Sequence, residues 1–336
     1  MKLIDIHISN DKVFSTLNCN SKVVVVIGNF DGLHKGHQKL LKIAKKEAAN
    51  LKLPLGIVTF DPHPRDFFSK SKSNFLLTDT LEKKRLFEEA GIDYFFKIKF
   101  NDDLRMLNPE NFIKLILKNT INVNSIYAGE NFKFGKNREG SFEDKVIFQK
   151  YEIVAKTCIL HKNKNDKIVS SEAIRKSILS LDFKFVKSCL GRNWALTGIV
   201  QKGDQNGRKL GFATANIHLL KTLEPKFGVY FTRSRIMNHD GSDFTSTHMP
   251  SITNFGIRPT LDGQKKLFET HILNYEEYFQ NNEIYDKRIH VEILDFLRDE
   301  KKFNSFEELK DQILKDVKKA KLFHKINNEI NFKNGI

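Results

Sequence analysis

The chain has 336 residues and carries 56 Lys and Arg against 41 Asp and Glu, for a formal net charge of +15. At about 150 residues per domain that is two domains, each able to bury a core, and the interleaving of lysines with acids gives a bias toward anionic ligands rather than a nucleic-acid-binding block. The longest apolar run near the front, Val23 to Ile27, cannot cross a membrane, the first residues lack the apolar core of a signal peptide, and Cys19, Cys158 and Cys189 are scattered without a C-x-x-C pair, which favours a reducing cytoplasm over a zinc site or disulfide frame.

Residues 1–20 give no clear element. Val24-Val25-Val26-Ile27 then reads as a short buried strand. Gly28, Asn29, Asp31 and Gly32 read as a tight turn, and apolar residues at Leu40, Leu41, Ile43 and Ala44 predict a helix that begins around His34 and His37. Strand, glycine turn and helix start make a phosphate site: the first helical turn has unpaired N–H groups, and glycine lets an anion approach the backbone. Gly36 keeps a side chain out of the space between the two imidazoles. Leu55 to Phe60 predicts a second parallel strand, closed by Asp61-Pro62-His63-Pro64, with His63 at a carboxyl end where open α/β sheets bind ligands.

Thr78-Asp79 caps a helix that carries Leu81 and Leu86 and ends at Gly91. Tyr94 to Ile98 and Ser125 to Ala128 predict strands, with a helix from Asn108-Pro109 between them that buries Phe112, Ile113, Ile116 and Leu117. The alternation predicts a parallel sheet covered on both faces. Gly129 to Gly140, with Asn131 and Phe132, reads as a mobile ligand-covering loop. Ser170 and Ser171 precede a helical run that contains Arg175, whose planar fork suits a pyrophosphate.

After Trp194 the texture changes. Short apolar runs at 196–200, 228–233, 249–255, 267–273 and 289–297 alternate with turns and predict a small antiparallel β-barrel. Ser305 caps a final amphipathic helix, and residues 323–336 read as a frayed polar tail. Gly207, Lys209 and Gly211 lie in a glycine-rich turn that is not a P-loop, before Thr214 and Asn216, whose neutral oxygens suit a magnesium ion held chiefly by nucleotide phosphates and water.

Several of these strings resemble those of the bifunctional bacterial riboflavin kinase/FAD synthetase family. Gly28 to His37, G-N-F-D-G-L-H-K-G-H, is similar to the H-x-G-H signature of nucleotidylyltransferases. T-F-D-P-H-P-R-D-F-F, G-E-N-F-K-F-G, V-S-S-E-A-I-R, G-R-K-L-G-F-A-T-A-N, N-F-G-I-R-P-T and E-T-H-I follow in the family's order. The resemblance implies a Rossmann-like nucleotidylyltransferase domain over residues 1–182 and a riboflavin kinase barrel over 183–322. It implies ATP, riboflavin and FMN as substrates, FMN and FAD as products, and Mg2+ with the ATP. Gly28, Asn29, Phe30, Asp31, Gly36, His63, Asn131, Phe132, Ser170, Ser171 and Arg175 would bind substrate around His34 and His37. Gly207, Lys209, Gly211 and Arg258 would do so in the barrel, where Glu269 would be the general base. Glu172 stands where the family has threonine, and Ala213 where it has proline. H-x-G-H alone does not name the acceptor, so transfer to another phosphate acceptor, retention of one activity only, and a basic nucleic-acid-binding barrel stand as the competing readings.

Overall fold

The computed structural model describes residues 1–10, 12–17, 21–69, 74–159, 168–201, 214–260, 263–279 and 284–333. The chain divides into two compact units, Met1–Ser73 with Lys83–Ser171, and Asn74–Glu82 with Glu172–Ile336. Residues 74–82 and 172–182 group with the second unit.

In the first unit, β1 (Lys2–Ser9), β2 (Lys12–Ser15), β3 (Val23–Ile27), β4 (Leu55–Asp61), β5 (Tyr94–Lys99), β6 (Val123–Gly129), β7 (Lys133–Phe134), β8 (Gly140–Ser141) and β9 (Val154–Cys158) follow in chain order. Seven of them form one sheet in the order β2-β1-β5-β4-β3-β6-β9. Every pairing is parallel except β1 with β2. All five residues of β3 are buried, because both faces of this central strand are covered. Val23, Val25 and Ile27 pack with Phe112, Ile113, Ile116 and Leu117. Val24 and Val26 pack with Leu40, Leu41, Ala44 and Ala48 of helix α1 (Lys35–Leu51). Ile43, expected on that apolar side, is instead 41 % exposed.

Lys2–Ser9 and Lys12–Ser15 form strands where the sequence reading assigned no element. Ile4, Ile6 and Ile8 alternate at strand spacing and are all buried, so β1 extends the sheet. The helix after Asn108 is α-helical only over Pro109–Asn111 and continues as a π-helix over Phe112–Thr120. The stretch expected as a mobile loop is a built hairpin. Its strands β7 and β8 pair, and Phe134 and Phe142 are buried with Phe148. Those rings pack with centroids 5.1–6.0 Å apart.

The second unit is a closed antiparallel barrel. β10 (Trp194–Gln201), β11 (Thr214–Leu219), β12 (Gly228–Met237), β13 (Met249–Thr260), β14 (Gly263–Ile272) and β15 (Arg288–Arg298) close in the order β10-β11-β14-β13-β12-β15. Residues 74–82 lie against it: Trp194 Nε1 donates to Leu77 O at 2.9 Å, and Thr197 hydrogen-bonds Asp79. Ser305 Oγ accepts from Glu308 N at 3.1 Å and opens the terminal helix, Phe306–Lys333. That helix runs through most of the stretch expected to fray. Phe323 stacks on Phe231 at 4.1 Å, and His324 is buried with Nε2 3.4 Å from Ser251 O. The apolar spacing of Val317 and Ala320 continues through Phe323, which keeps the helix on the barrel.

Gly198 sits where β10 meets β11, and a Cβ there would lie 2.4 Å from His218 O. Gly198→Ala is therefore expected to lower stability by about 1–3 kcal/mol, read as a lower midpoint of thermal unfolding. An unchanged midpoint would show that this strand pair relaxes freely.

Candidate functional site

In the first unit, β4, β3 and β6 are adjacent and parallel, so the loops after them share one edge of the sheet. Those loops carry His63, the Gly28–His34 turn, and Asn131 with Phe132, the arrangement in which α/β sheets bind ligands. The turn is sharply bent: Phe30, Gly32 and Leu33 have φ of 47°, 82° and 41°. Phe30 and Leu33 are buried, as is Asp31.

His34 is the N-cap of α1. Its Nδ1 accepts from His37 N at 3.3 Å, so its neutral form carries the proton on Nε2. The two imidazoles stack with centroids 3.7 Å apart, and the Phe30 ring lies 5.0 Å from His37. Gly36 is the second residue of the helix, and no acidic side chain sits in the first turn, so the positive end of the helix is left for an anion. Burial, then the positive influence of His34 and Lys83, holds His37 well below the usual 6.5. Asn29 Oδ1 and His37 Nδ1 are buried without a hydrogen-bond partner among the described residues, as expected of atoms that await a ligand. Gly28 leads into the turn: its N–H donates to Val58 O at 3.1 Å, and a Cβ on it would lie within van der Waals reach of the Phe30 ring.

The remaining expected residues differ in their settings. Ser171 Oγ donates to Asp31 O at 2.8 Å, which ties the serine pair to the turn; Ser170 is half-buried just before it. His63 Nδ1 caps helix α2 (Pro64–Phe68) by accepting from Arg65 N at 3.0 Å. Asn131 is exposed, and Phe132 packs 5.8 Å from the Phe142 ring. Arg175 falls in the second unit. Its Nε donates to Phe75 O at 2.8 Å, and its Nη1 reaches Glu172 at 3.1 Å. Glu172, where the family has threonine, is thus the salt-bridge partner of the arginine.

Sequence reasoning missed Lys83. It lies in helix α3 (Thr80–Glu89) within a run of cations that reads as a solvated face, yet it is buried, and its Nζ donates to Asn29 O at 3.2 Å.

On the barrel, register builds a second site. Asn216 pairs with Glu269, Glu269 pairs with Asn254, and Thr214 pairs with His271. Ala215, Ile217, Phe268, Thr270 and Ile272 are buried, while Thr214, Asn216, Glu269 and His271 are half-buried, so these four share the opposite, outer face. Asn254, the first residue of the N-F-G-I-R-P-T string, joins that row by its pairing with Glu269. Gly207, Lys209 and Gly211 lie outside the described residues, and Arg258 is described only as backbone within β13.

Comparison with known proteins fits both halves. Residues 16–173 match the FAD synthetase family, and residues 190–324 match the riboflavin kinase family. The bifunctional riboflavin kinase/FMN adenylyltransferase of Buchnera aphidicola subsp. Schizaphis graminum is 34% identical over 309 residues, covering 90% of this chain and 95% of that protein. The chain belongs to the bifunctional riboflavin kinase/FMN adenylyltransferase family. Its Escherichia coli K12 relative is 31% identical over 306 residues, covering 89% of this chain and 92% of that one. A crystal structure described as a macrolide-efflux protein from Streptococcus pneumoniae superposes with a TM-score of 0.79 at 29% identity, covering 94% of this chain and 98% of that one. Among the described residues here, no helix is long and apolar enough to cross a membrane.

The depressed basicity of His37 has a measurable consequence. By nitrogen-15 NMR of the imidazoles, His37 is expected to remain neutral at pH 6. The unfolded chain takes up this proton near pH 6.5, so the residue's contribution to stability falls as the pH drops below about 6.5. A normal His37 titration would overturn this account of the turn.

Proposed function

We propose that the chain makes FAD from riboflavin in two steps, one in each half. Residues 183–322 phosphorylate riboflavin with ATP, giving FMN and ADP. Residues 1–182 then adenylylate FMN with a second ATP, giving FAD and pyrophosphate. The observation that carries this reading is the pairing of two different phosphate-handling sites, the His34-capped helix start and the Asn216–Glu269–Asn254 row, with the two family matches in the same order.

In adenylyl transfer, an FMN phosphate oxygen attacks the α-phosphorus of ATP. The new O–P bond forms as the bond to the bridging oxygen breaks, and pyrophosphate leaves with its electron pair. The nucleophile is already an anion, so the protein positions groups and stabilises charge. We assign charge stabilisation to His34, His37 and the N-terminus of α1. Gly28, Phe30, Asp31 and Gly36 shape the bed for the nucleotide. Asn29 and Asn131 place the reacting groups, while His63 and Phe132 border the pocket. Ser170, Ser171 and Arg175 are assigned to the triphosphate.

In phosphorylation, Glu269 takes the proton of the ribityl 5′-hydroxyl, whose oxygen attacks the γ-phosphorus as ADP departs. Arg258, Gly207, Lys209 and Gly211 are assigned to the nucleotide and flavin. Thr214 and Asn216 present two neutral oxygens on one face beside Glu269, a donor set that fits a magnesium ion bound mainly by phosphate and water. When bound, that ion neutralises charge on the nucleotide. We place the protein in the cytoplasm on its use of ATP and on its free thiols Cys158 and Cys189.

Loss of one charge-stabilising donor costs about 100- to 1,000-fold in rate. His37→Ala is therefore expected to stop FAD formation and spare FMN formation. Glu269→Ala is expected to stop FMN formation while added FMN still becomes FAD. Chromatographic separation of the flavins over time reads both, and equal loss of both activities in either variant would sink the two-site assignment.

A further inference from the structure

The adenylyl-transfer reading leaves one buried cation unexplained. Lys83 is only 9 % exposed, and lysines are rarely buried without a task. Its helix is held by Asp79, whose Oδ1 accepts from Leu81 N and Glu82 N at 2.8 and 2.9 Å. From there the lysine reaches 54 residues back along the chain to the carbonyl of Asn29. That carbonyl belongs to the turn in which Phe30 is held at a positive φ of 47°. The same turn carries the orphaned Asn29 Oδ1 and leads to the orphaned His37 Nδ1. A hydrogen bond from a charged donor to a buried carbonyl is stronger than one between neutral groups and holds the peptide's orientation.

We propose that Lys83 is a positioning residue for adenylyl transfer: its ammonium fixes the Asn29 carbonyl and so aims Asn29 and His37 at the nucleotide. The inference rests on the assignment of this site under the proposed function. It gives a lysine the task of a structural cation, distinct from the phosphate-binding groups themselves. The charge also acts on His37. The titratable groups felt there are His34 from the helix cap and Lys83 from α3, and Asp31 lies buried in the same turn. Both cations make protonation of His37 harder, so loss of Lys83 makes it easier.

The test uses the full-length protein with Lys83→Met and Lys83→Arg, fed either FMN and ATP or riboflavin and ATP. Lys83→Met is expected to lose about 100-fold in kcat/KM for FAD formation, while riboflavin phosphorylation holds within about twofold and so reports an intact fold. The acid limb of the pH profile for FAD formation, and the His37 titration seen by NMR, are expected to move to higher pH. Lys83→Arg, which keeps the charge and a donor, is expected to restore most of the activity. The proposal is overturned if Lys83→Met forms FAD normally, or if it loses activity while His37 and the acid limb stay where they were, the mark of a merely structural role. A wild-type protein that makes no FAD from FMN would instead overturn the site assignment on which the inference stands.

Discussion

The first unit depends on how its chain leaves the central strand. Between Ile27 and Lys35 the backbone must stop β3, turn and start α1, and it does so with two bulky residues, Phe30 and Leu33, in the left-handed region. Each such residue costs about 1–2 kcal/mol. Burying its side chain returns about 1.5–3 kcal/mol, and both join the core that also holds Leu40, Phe87 and Tyr127. The strain is thus offset by the core directly behind the site. The Phe30 ring meets Phe87 edge-on at 6.1 Å on one side and His37 at 5.0 Å on the other, so one side chain joins the packing to the chemistry.

The barrel solves its own version of that problem with hydroxyls. Inside the wall, Ser234, Ser251, Thr232, Thr253 and Thr270 form a continuous chain of hydrogen bonds 2.8–2.9 Å long, each residue fully buried. A fully satisfied polar chain fixes strand register more sharply than interchangeable aliphatic packing does. Here it crosses β12, β13 and β14 directly behind the row that presents Asn254 and Glu269. Neighbouring residues on one strand therefore do opposite work: Thr270 bonds inward to the wall while Glu269 stands on the outer face.

Much of this was legible because local rules and tertiary demands agree. The β-branched run of β3, the helix after it and the five strand segments after Trp194 all stand where their patterns placed them. What escaped were features that local rules describe differently. Ile4, Ile6 and Ile8 alternate with Asp5 and His7, a period-two strand signal that was legible in the sequence but short. Gly129 to Gly140 has loop composition, yet Phe134 within it packs with Phe142 and Phe148 beyond it, and that burial supports a hairpin. Lys83 sits beside Lys84 and Arg85, and no periodicity separates a buried ammonium from a solvated one. The string that begins at Asn254 was legible, but its place beside Glu269 was not, because register is a long-range fact.

The two sites also differ in a way that their reactions require. A phosphate monoester arrives as an anion, so the first site needs no base and gathers hydrogen-bond donors and positive charge: a helix N-terminus without acids in its first turn, two imidazoles and a buried lysine nearby. An alcohol arrives protonated, so the second reaction needs a group to take its proton; under the proposed assignment that group is Glu269, which pairs with Asn216 and Asn254. Exchanging these arrangements would fail: a carboxylate under the incoming FMN phosphate would repel it. The division of the chain into two differently built phosphate sites thus follows from the protonation state of the two nucleophiles.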